Sequence, residues 1–424
     1  MQRKVILKKK SRPDPGQGLP ETSVLVATCA GGMEQLLVRE VESLGFSGRV
    51  QGAGAVEIGG SLGDAHLLCR SLRTASRLLV PLESFQVGSY DDLYRRMRSV
   101  PWERVLPPSA TFAITASTRS EVLGDHRYLA MRLKDAILDR QREVFQGTRS
   151  SVDRKNPDVP VVIFVDSRGH GAVSLDAAGS PLHERGYRRE AGEAPLRETV
   201  AAAMLLEAGD PAVVIDPFCG SGTIAIEAAL LSAGLPPQGS SRSFAMERWP
   251  GVVPPAPSLR SSAVVGPPRI FAADLDDSLV ETARRNARRA GMEPRISFSS
   301  GDVRQTLPEM ISRARDVLRG LPRERSRQEA EIAVVTNPPY GERLNPADLA
   351  LLYSDVGKLL RQHLQGCSVW ILCSEPKLIR RTGLNILGRT PLYNGGIACE
   401  LYRFRIRPGE GRPGKHSRGR PPRS

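Results

Sequence analysis

In the second half of the chain, short apolar runs alternate regularly with segments of helical periodicity, and this alternation restricts the possible folds more than any other feature. The apolar runs lie at residues 212–215, 270–273, 296–299, 332–336, 368–373 and 398–406. Strands that alternate with helices in this way form a doubly wound, mostly parallel sheet with helices on both faces. We therefore expect a Rossmann-like α/β domain over residues 179–407, with any ligand bound at the carboxyl ends of the strands.

Residues 22–178 show shorter units, in which apolar runs and helical patterns form an α+β arrangement with a break near residue 80. The runs 161–166 and 171–176 flank a short polar segment containing Gly169, which is typical of a β-hairpin. We predict two small α+β domains, over residues 22–80 and 81–178. No metal cluster, nucleophile or glycine loop stands out there, so by elimination we interpret the region as binding substrate.

The formal net charge of the 424-residue chain is +14, and most of it lies at the two ends. Residues 1–19 carry a net charge of +5, and residues 405–424 carry +6. Because the ends are rich in Pro, Gly and basic residues, we expect disordered basic tails at 1–21 and 408–424. Such tails bind phosphates in a polyanion such as RNA, although tails that only aid solubility have the same composition.

Apolar content and cysteine spacing argue against several classes of protein. No apolar run reaches the roughly 18 residues of a membrane-spanning helix, so we expect no membrane partner. The six cysteines show no CxxC spacing, which argues against a zinc site or a disulfide framework and favours the reducing cytoplasm. We therefore expect no metal.

The segment Asp216-Pro-Phe-Cys-Gly-Ser-Gly-Thr joins the first apolar run of the Rossmann-like region to a helix. Gly220 and Gly222 let the backbone approach a ligand next to the N–H groups of a helix N-terminus. The spacing also matches the GxGxxG/A pattern of dinucleotide-binding proteins, which alone is a weak signal. The carboxylate of Asp216 would repel a pyrophosphate, whereas it suits the amino and sulfonium groups of S-adenosylmethionine. We predict that Asp216, Phe218, Gly220 and Gly222 bind this cofactor.

Two further aspartates, Asp274 and Asp302, follow the next two predicted strands. A carboxylate at the end of the second strand accepts hydrogen bonds from ribose hydroxyls in dinucleotide enzymes, and we predict this role for Asp274. Asp302, one strand later, is predicted to accept a hydrogen bond from the adenine amino group. Leu275 and Val303 are predicted to sandwich the adenine ring, although plain core positions explain both residues equally well.

The motif Asn337-Pro338-Pro339-Tyr340 follows the fourth predicted strand and indicates the reaction. An exocyclic amine on a base is a poor nucleophile because its lone pair is delocalised into the ring. The Asn337 side-chain oxygen and the Pro338 carbonyl can both accept hydrogen bonds from that amine and align it for attack. The prolines stiffen the loop, and Tyr340 offers a flat face for an extruded base. We predict that these four residues are catalytic.

With these motifs the chain resembles the THUMP-containing rRNA guanine-N2 methyltransferases, specifically those acting on bacterial 23S rRNA. The resemblance spans residues 22–405 and rests on segments 31–37, 152–158, 182–188, 194–199, 216–223, 248–250 and 336–344. It implies a ferredoxin-like domain and a THUMP domain that present RNA to a Rossmann-like catalytic domain using S-adenosylmethionine. It also implies N2-methylguanine as the product. The glycine-loop, ribose, adenine and NPPY positions of the family correspond to Gly220, Gly222, Asp274, Asp302 and Asn337–Tyr340.

Several alternatives stay open on the residues alone. The NPPY motif serves any planar amine, so a tRNA guanine-N2, nucleic-acid adenine-N6 or protein glutamine methyltransferase is also compatible with it. A non-catalytic RNA-binding ribosome-assembly factor is a candidate from another class, although no motif here is damaged. The substrate can be naked 23S rRNA or a large-subunit assembly intermediate. Some relatives carry a second methyltransferase domain at the C-terminus. Here the chain ends in a basic tail, so we expect no second activity.

Overall fold

The structure is a computed structural model that describes residues 23–188, 196–209, 211–239, 242–252, 269–320, 332–341 and 345–406. Both predicted basic tails lie outside these ranges. No helix within the described ranges is long and apolar enough to cross a membrane.

The N-terminal part forms one mixed sheet with the strand order β2-β3-β1-β4-β8-β7-β5-β6. Its strands are β1 (Val24–Thr28), β2 (Ser47–Gly52), β3 (Ala55–Gly59), β4 (Arg77–Gln86), β5 (Thr111–Thr118), β6 (Ser151–Val152), β7 (Val159–Val165) and β8 (His170–Asp176). Its helices are α1 (Glu34–Ser43), α2 (Leu62–Ser71), α3 (Tyr90–Ser99) and α4 (His126–Val144). The predicted hairpin is confirmed, since β7 and β8 pair antiparallel.

The two N-terminal units share this sheet, because β4 runs through the break predicted near residue 80. One side of β4 pairs with β1, and the other side pairs with β8 of the second unit. Their cores are also continuous: Leu37 and Leu68 of the first unit belong to the same buried cluster as Leu133 and Ile163 of the second. The N-terminal half therefore has one sheet and one core.

The C-terminal part forms a second sheet with the strand order β11-β10-β9-β12-β13-β15-β14. Its strands are β9 (Val213–Asp216), β10 (Ile270–Asp274), β11 (Ile296–Ser300), β12 (Ile332–Thr336), β13 (Ser368–Cys373), β14 (Ile386–Asn394) and β15 (Ile397–Arg405). Strands β9 to β13 pair in parallel, and β15 is antiparallel to β13. Six of these strands were predicted to within one residue, which confirms the α/β fold class. The seventh, β14, lies at the edge of the sheet, where Pro391 is tolerated because one side of the strand needs no ladder partner.

Helices cover both faces of the second sheet in separate apolar layers. They are α5 (Glu198–Ala208), α6 (Thr223–Ser232), α7 (Asp277–Arg289), α8 (Val303–Arg319), α9 (Pro346–His363) and α10 (Pro376–Arg381). Helices α5 to α7 contribute to one buried cluster, and α8 to α10 contribute to the other. The central strands β9, β10, β12 and β13 are almost wholly apolar because both of their faces are covered.

Two helix starts can be predicted from short sequence patterns. The pair Asn345-Pro346 predicts the start of a helix, and Asn345 does cap α9, since its side-chain oxygen accepts the N–H of Ala347 at 3.0 Å. The spacing of Ser278 and Glu281 predicts a capping box at the start of α7, and this prediction is wrong. Asp276 caps α7 instead, because its carboxylate accepts the N–H of Ser278 at 2.8 Å.

Candidate active site

The first motif forms a tight turn between β9 and α6. The Cys219 N–H donates to the carbonyl oxygen of Ala273 in the neighbouring strand at 2.8 Å, which holds the turn against β10. Gly222 has a φ of +87°, and a Cβ added there would lie 2.9 Å from the Cβ of Ala283 in α7. Gly220 has a φ of +51°, and a Cβ there would meet open space. Gly222 therefore permits close helix packing, whereas the backbone of Gly220 faces open space.

Asp216 ends β9 and is almost completely buried, with 1% of its surface exposed. Its Oδ1 accepts the Thr336 hydroxyl at 2.8 Å and the Phe218 N–H at 3.3 Å. Its Oδ2 is buried with no hydrogen-bond partner among the described residues. Burial, only partly offset by these hydrogen bonds, raises the pKa of Asp216 to about 7. The carboxyl therefore keeps one oxygen available for a ligand.

Asp274 lies next to the glycine turn at the end of β10. Its Oδ2 accepts the Gly220 N–H at 2.8 Å, and its Oδ1 accepts the Asp276 N–H at 3.2 Å. A carboxylate has about four acceptor positions, so two N–H groups leave capacity for further donors. Leu275, the next residue, is 74% exposed. The structure thus brings Asp216, Gly220, Asp274 and Leu275 together at one edge of the sheet.

Asp302 and Val303 begin α8 after the third strand of this edge. Asp302 caps the helix by accepting the Arg304 N–H at 2.8 Å, and it also pairs with the Arg304 guanidinium at 2.9 Å. Val303 is 6% exposed and belongs to a buried cluster of the sheet, against which Phe218 also packs. Val303 is therefore a core residue, and the Asp302 carboxylate already caps the N-terminus of α8. Their roles toward adenine stay predictions.

The NPPY loop leaves β12 directly beside the glycine turn. Thr336, the last residue of that strand, donates its hydroxyl to Asp216, so the two motifs are joined by one hydrogen bond. The next side chain, Asn337, has a buried Oδ1 with no hydrogen-bond partner among the described residues. The loop is fixed further along, where the Pro339 carbonyl accepts the Tyr353 hydroxyl at 3.2 Å. Asn337 thus holds an unused acceptor in a rigid position.

Tyr340 packs against the apolar clusters of both sheet faces, and its hydroxyl lies 3.7 Å from the Cys399 sulfur. Burial, followed by the contact with Cys399, raises the pKa of the phenol, so the hydroxyl is protonated at neutral pH. Cys399 belongs to β15. The tyrosine of the motif is therefore held by the hairpin of β14 and β15.

Comparison with protein families identifies the domains of the chain. Residues 185–403, more than half of the chain, match the family described as the RMKL-like methyltransferase domain. The chain belongs to this family. In front of it, residues 24–79 match the RlmL ferredoxin-like domain and residues 88–171 match the THUMP domain.

Individual relatives of this RMKL-like chain extend the similarity over both halves. A ribosomal RNA large subunit methyltransferase K/L from Syntrophotalea carbinolica is 35% identical over 90% of this chain and 53% of its own length. The chain thus spans about half the length of the curated relatives it matches. The methyltransferase-like protein SMU.472, solved in complex with SAH, is 26% identical with a TM-score of 0.77, covering 92% of this chain and all of the other. A predicted N6-adenine-specific DNA methylase from Listeria monocytogenes is 28% identical with a TM-score of 0.74, covering 90% and 95% of the two chains.

Sequence reasoning missed two residues that support the site of this RMKL-like domain. Thr336 links the two motifs, and a polar residue ending the otherwise apolar run Ile-Ala-Val-Val-Thr was the available signal. Asn394 was missed because it lies in β14, which was not predicted. Its side-chain oxygen accepts the Arg197 N–H at 3.1 Å, and its side chain also contacts the Tyr340 hydroxyl.

Proposed function

We propose that this chain transfers a methyl group from S-adenosylmethionine to the exocyclic N2 of a guanine in 23S rRNA. One observation carries the proposal: two buried oxygens without hydrogen-bond partners in the described part of the chain, on Asp216 and Asn337, flank Thr336 at the same sheet edge. Such acceptors cost stability unless a ligand satisfies them. A cationic cofactor beside an amine substrate supplies donors for both.

The residues of the glycine turn fit the cofactor. The free oxygen of Asp216 suits a cationic amino acid moiety, and the open space at Gly220 leaves room for a ligand against the backbone. Asp274 would hold the ribose and Leu275 would cover the adenine, with Phe218, Gly222, Asp302 and Val303 completing the proposed cofactor-binding set. When bound, S-adenosylmethionine supplies an electrophilic methyl group on a sulfonium. The relative SMU.472 was solved with SAH, which supports this choice of cofactor.

The NPPY residues would position the amine. The Asn337 Oδ1 accepts one N–H of the guanine N2 group, and the Pro338 carbonyl accepts the other. Holding both N–H groups weakens the conjugation of the lone pair with the ring and directs it along the line of attack. Tyr340 and the prolines limit the motion of the loop, so the reacting nitrogen loses little further freedom on reaching the transition state.

RNA as the substrate is supported by the N-terminal half. The THUMP match over residues 88–171 and the large-subunit rRNA methyltransferase relatives both favour RNA over DNA or protein. The basic ends, with net charges of +5 and +6, add phosphate-binding capacity. We propose 23S rRNA or a large-subunit assembly intermediate as partner, and therefore a cytoplasmic location, where rRNA is transcribed and assembled.

Two other reactions of the same class deserve a direct test. A tRNA guanine-N2 substrate needs the same amine chemistry and the same N-terminal domains. Adenine N6 is favoured by one observation, the Listeria monocytogenes relative that is a predicted N6-adenine-specific DNA methylase. Both alternatives use the same site residues and differ only in the base and the nucleic acid presented.

The deciding experiment supplies radiolabelled S-adenosylmethionine and the purified chain with separate pools of unmodified 23S rRNA, tRNA and DNA. Large-subunit assembly intermediates form a fourth pool. Labelled nucleosides are then identified by chromatography. We expect label in 23S rRNA or its assembly intermediate, recovered as N2-methylguanosine.

The other outcomes separate the alternatives. Label in tRNA as N2-methylguanosine would keep the chemistry and replace the substrate, whereas N6-methyladenosine would replace the target base. RNA binding without label in any pool would support a non-catalytic assembly factor and contradict the proposal.

A further inference from the structure

The hairpin of β14 and β15 extends past the sheet edge that carries the candidate site. Strand β15 runs antiparallel to β13, with Glu400 paired to Cys373 at the carboxyl end of β13. Residues of β15 before Glu400 therefore continue beyond that end, and the turn at Gly395 and Gly396 lies farther still. The tip of the hairpin stands beside the loop that follows β12.

One side of this tip contacts the NPPY loop through buried polar atoms. Asn394 is 8% exposed, accepts the Arg197 N–H at 3.1 Å and contacts the Tyr340 hydroxyl. Cys399, across the hairpin, lies 3.7 Å from the same hydroxyl. Residues of the hairpin tip are thus in direct contact with the tyrosine of the NPPY motif.

The next side chain along the hairpin, Tyr393, faces the opposite way and is 45% exposed. Its ring lies on Gly31 of the N-terminal half, since a Cβ at Gly31 would stand 3.4 Å from a ring carbon. The adjacent Gly32 has a φ of +86° and lies so close to the Pro391 carbonyl that any Cβ would overlap it. The N-terminal half therefore supports one side of the ring and leaves the rest accessible.

The guanidinium of Arg197 lies beside the same turn. Its two nearest nitrogens would be 3.9 and 4.0 Å from a Cβ built at Gly395. Together with Arg77, Arg185 and Arg188, it lowers the pKa of His183 to about 4, after the larger effect of burial. Those three arginines form ion pairs with Asp176, Glu227 and Glu198. Arg197 is exposed and forms no ion pair with any carboxylate in the described ranges.

We propose that Tyr393 and Arg197 form a binding site for the RNA nucleotide adjacent to the target base. Tyr393 stacks on the neighbouring base, and Arg197 pairs with its phosphate. An exposed ring supported from behind suits stacking because little side-chain freedom is lost on binding. An arginine without a carboxylate partner suits a phosphate. The position of the target base rests on the proposed function, whereas RNA binding by this pair does not.

The site also explains why the N-terminal half contacts the hairpin. RNA held by the THUMP domain has to reach the candidate active site with the target nucleotide, and not a neighbouring one, placed beside Asn337. The contact of Gly31 with Tyr393 connects the two halves of the protein at the point where the RNA strand would enter the candidate active site. A nucleotide stacked there fixes the distance between the RNA held by the N-terminal half and the base beside Asn337.

The test compares Tyr393→Ala, Tyr393→Phe and Arg197→Gln with the unaltered full chain. The matched control is Leu387→Ala, because Leu387 is 48% exposed at the far end of the same strand. Binding to an unmodified 23S rRNA transcript is measured by filter binding without S-adenosylmethionine across a salt series. KM and kcat for methylation are measured separately, and thermal unfolding reports on the fold.

We expect Tyr393→Ala to weaken RNA binding and raise KM by about five- to a hundredfold, the range for loss of one stacked base. Its kcat should change much less. Tyr393→Phe keeps the ring and should behave like the unaltered chain. Arg197→Gln should weaken binding and lower the salt slope by about 0.7, the value for one phosphate contact to a single strand. Leu387→Ala should have no effect.

Other outcomes would overturn the inference. If Tyr393→Ala and Arg197→Gln both fold and keep RNA affinity and KM within twofold of the unaltered chain, the hairpin tip does not bind RNA. If Tyr393→Ala does not fold, the salt slope of Arg197→Gln decides alone. Failure of the proposed function looks different: no RNA is methylated by the unaltered chain, yet binding still depends on Tyr393 and Arg197.

Discussion

Asp216 and Asn337 each keep one buried side-chain oxygen without a hydrogen-bond partner in the part of the chain that is described. An unsatisfied buried acceptor costs about 1–3 kcal/mol. Local costs of this kind concentrate at functional sites, where a ligand provides the missing donor. Both oxygens therefore lead to predictions that separate amine positioning from cofactor binding.

The first prediction concerns Asn337→Ala, which removes the acceptor proposed for the target amine. Methylation should fall by about 10²–10³-fold, the usual loss for one well-placed polar group, while RNA binding should stay nearly unchanged. Single-turnover methylation and filter binding measure the two effects. Asn345→Ala is the control, because that asparagine only caps α9. Near-full activity in Asn337→Ala would exclude the positioning role.

The second prediction concerns Asp274→Ala, which removes the carboxylate proposed for the ribose and the acceptor of the Gly220 N–H. Affinity for S-adenosylmethionine should fall about tenfold or more, since a charged hydrogen bond contributes about 1.5–3 kcal/mol. RNA affinity should not change. Calorimetric titration of the cofactor measures the effect, with Asp276→Ala, the cap of α7, as the matched control. Equal cofactor affinity in the two variants would contradict the assignment.

The third prediction uses the pKa of Asp216, which burial raises to about 7. The carboxyl is neutral below this pKa and charged above it, so affinity for a cationic cofactor should rise between pH 6 and pH 8 and then level off. Asp216→Asn should bind more weakly and lose this dependence. The sign for stability is opposite: a raised pKa in the folded state means that stability falls as pH rises from about 4 to about 7. Calorimetry at several pH values tests the pH dependence of both cofactor affinity and stability. A cofactor affinity that does not change with pH in the unaltered chain would exclude direct binding by Asp216.

At the scale of elements, the glycine turn is fixed by how closely α6 and α7 pack. Gly222→Ala places a Cβ 2.9 Å from Ala283 at a φ of +87°. We expect the free energy of unfolding to fall by about 2–5 kcal/mol, because backbone strain and overpacking add together. Gly234→Ala is the matched control, because Gly234 has a φ of +64° but meets open space, so only about 1–2 kcal/mol of strain applies. Chemical denaturation should rank Gly222→Ala as the less stable variant; equal values would mean that α7 moves aside.

The central strands of the second sheet were predictable because they are buried on both faces. The segments 270–274 and 332–336 contain only apolar residues before a terminal polar one, and a run of this kind indicates a buried strand. Strand β14 was not predictable in this way. It alternates exposed and partly buried residues and contains Gly388 and Pro391, which normally indicate a break.

The site was predictable where it depends on chain order and unpredictable where it depends on distant contacts. Asp216 and Asp274 are the last residues of parallel strands, and Asn337 directly follows another, so their convergence at one edge follows from parallel topology. The support of Tyr340 by Asn394 and Cys399 joins residues more than 50 positions apart along the chain. Periodicity is a local property and carries no information on such pairs.

At the scale of the whole molecule, a buried polar cluster joins the two sheets. The Arg185 guanidinium pairs with Glu227 of α6 and also donates to the Arg73 carbonyl of the N-terminal half. Tyr187 donates its hydroxyl to the other oxygen of Glu227 at 2.8 Å. Both charged side chains are 0–1% exposed. The orientation of the N-terminal half relative to the catalytic edge therefore depends on hydrogen bonds that tolerate little displacement.

This cluster gives the last prediction. Glu227→Leu leaves the Arg185 charge buried and unpaired, so we expect the free energy of unfolding to fall by about 3–5 kcal/mol. The double variant Arg185→Met/Glu227→Leu removes both charges and should recover most of that loss. Arg39→Ala breaks an exposed ion pair between the same two halves, with Glu207, and should change stability by less than about 1 kcal/mol. Thermal unfolding of the four proteins tests this order. A double variant no more stable than Glu227→Leu would mean that the hydrogen bonds of the pair, rather than compensation of charge, hold the two halves together.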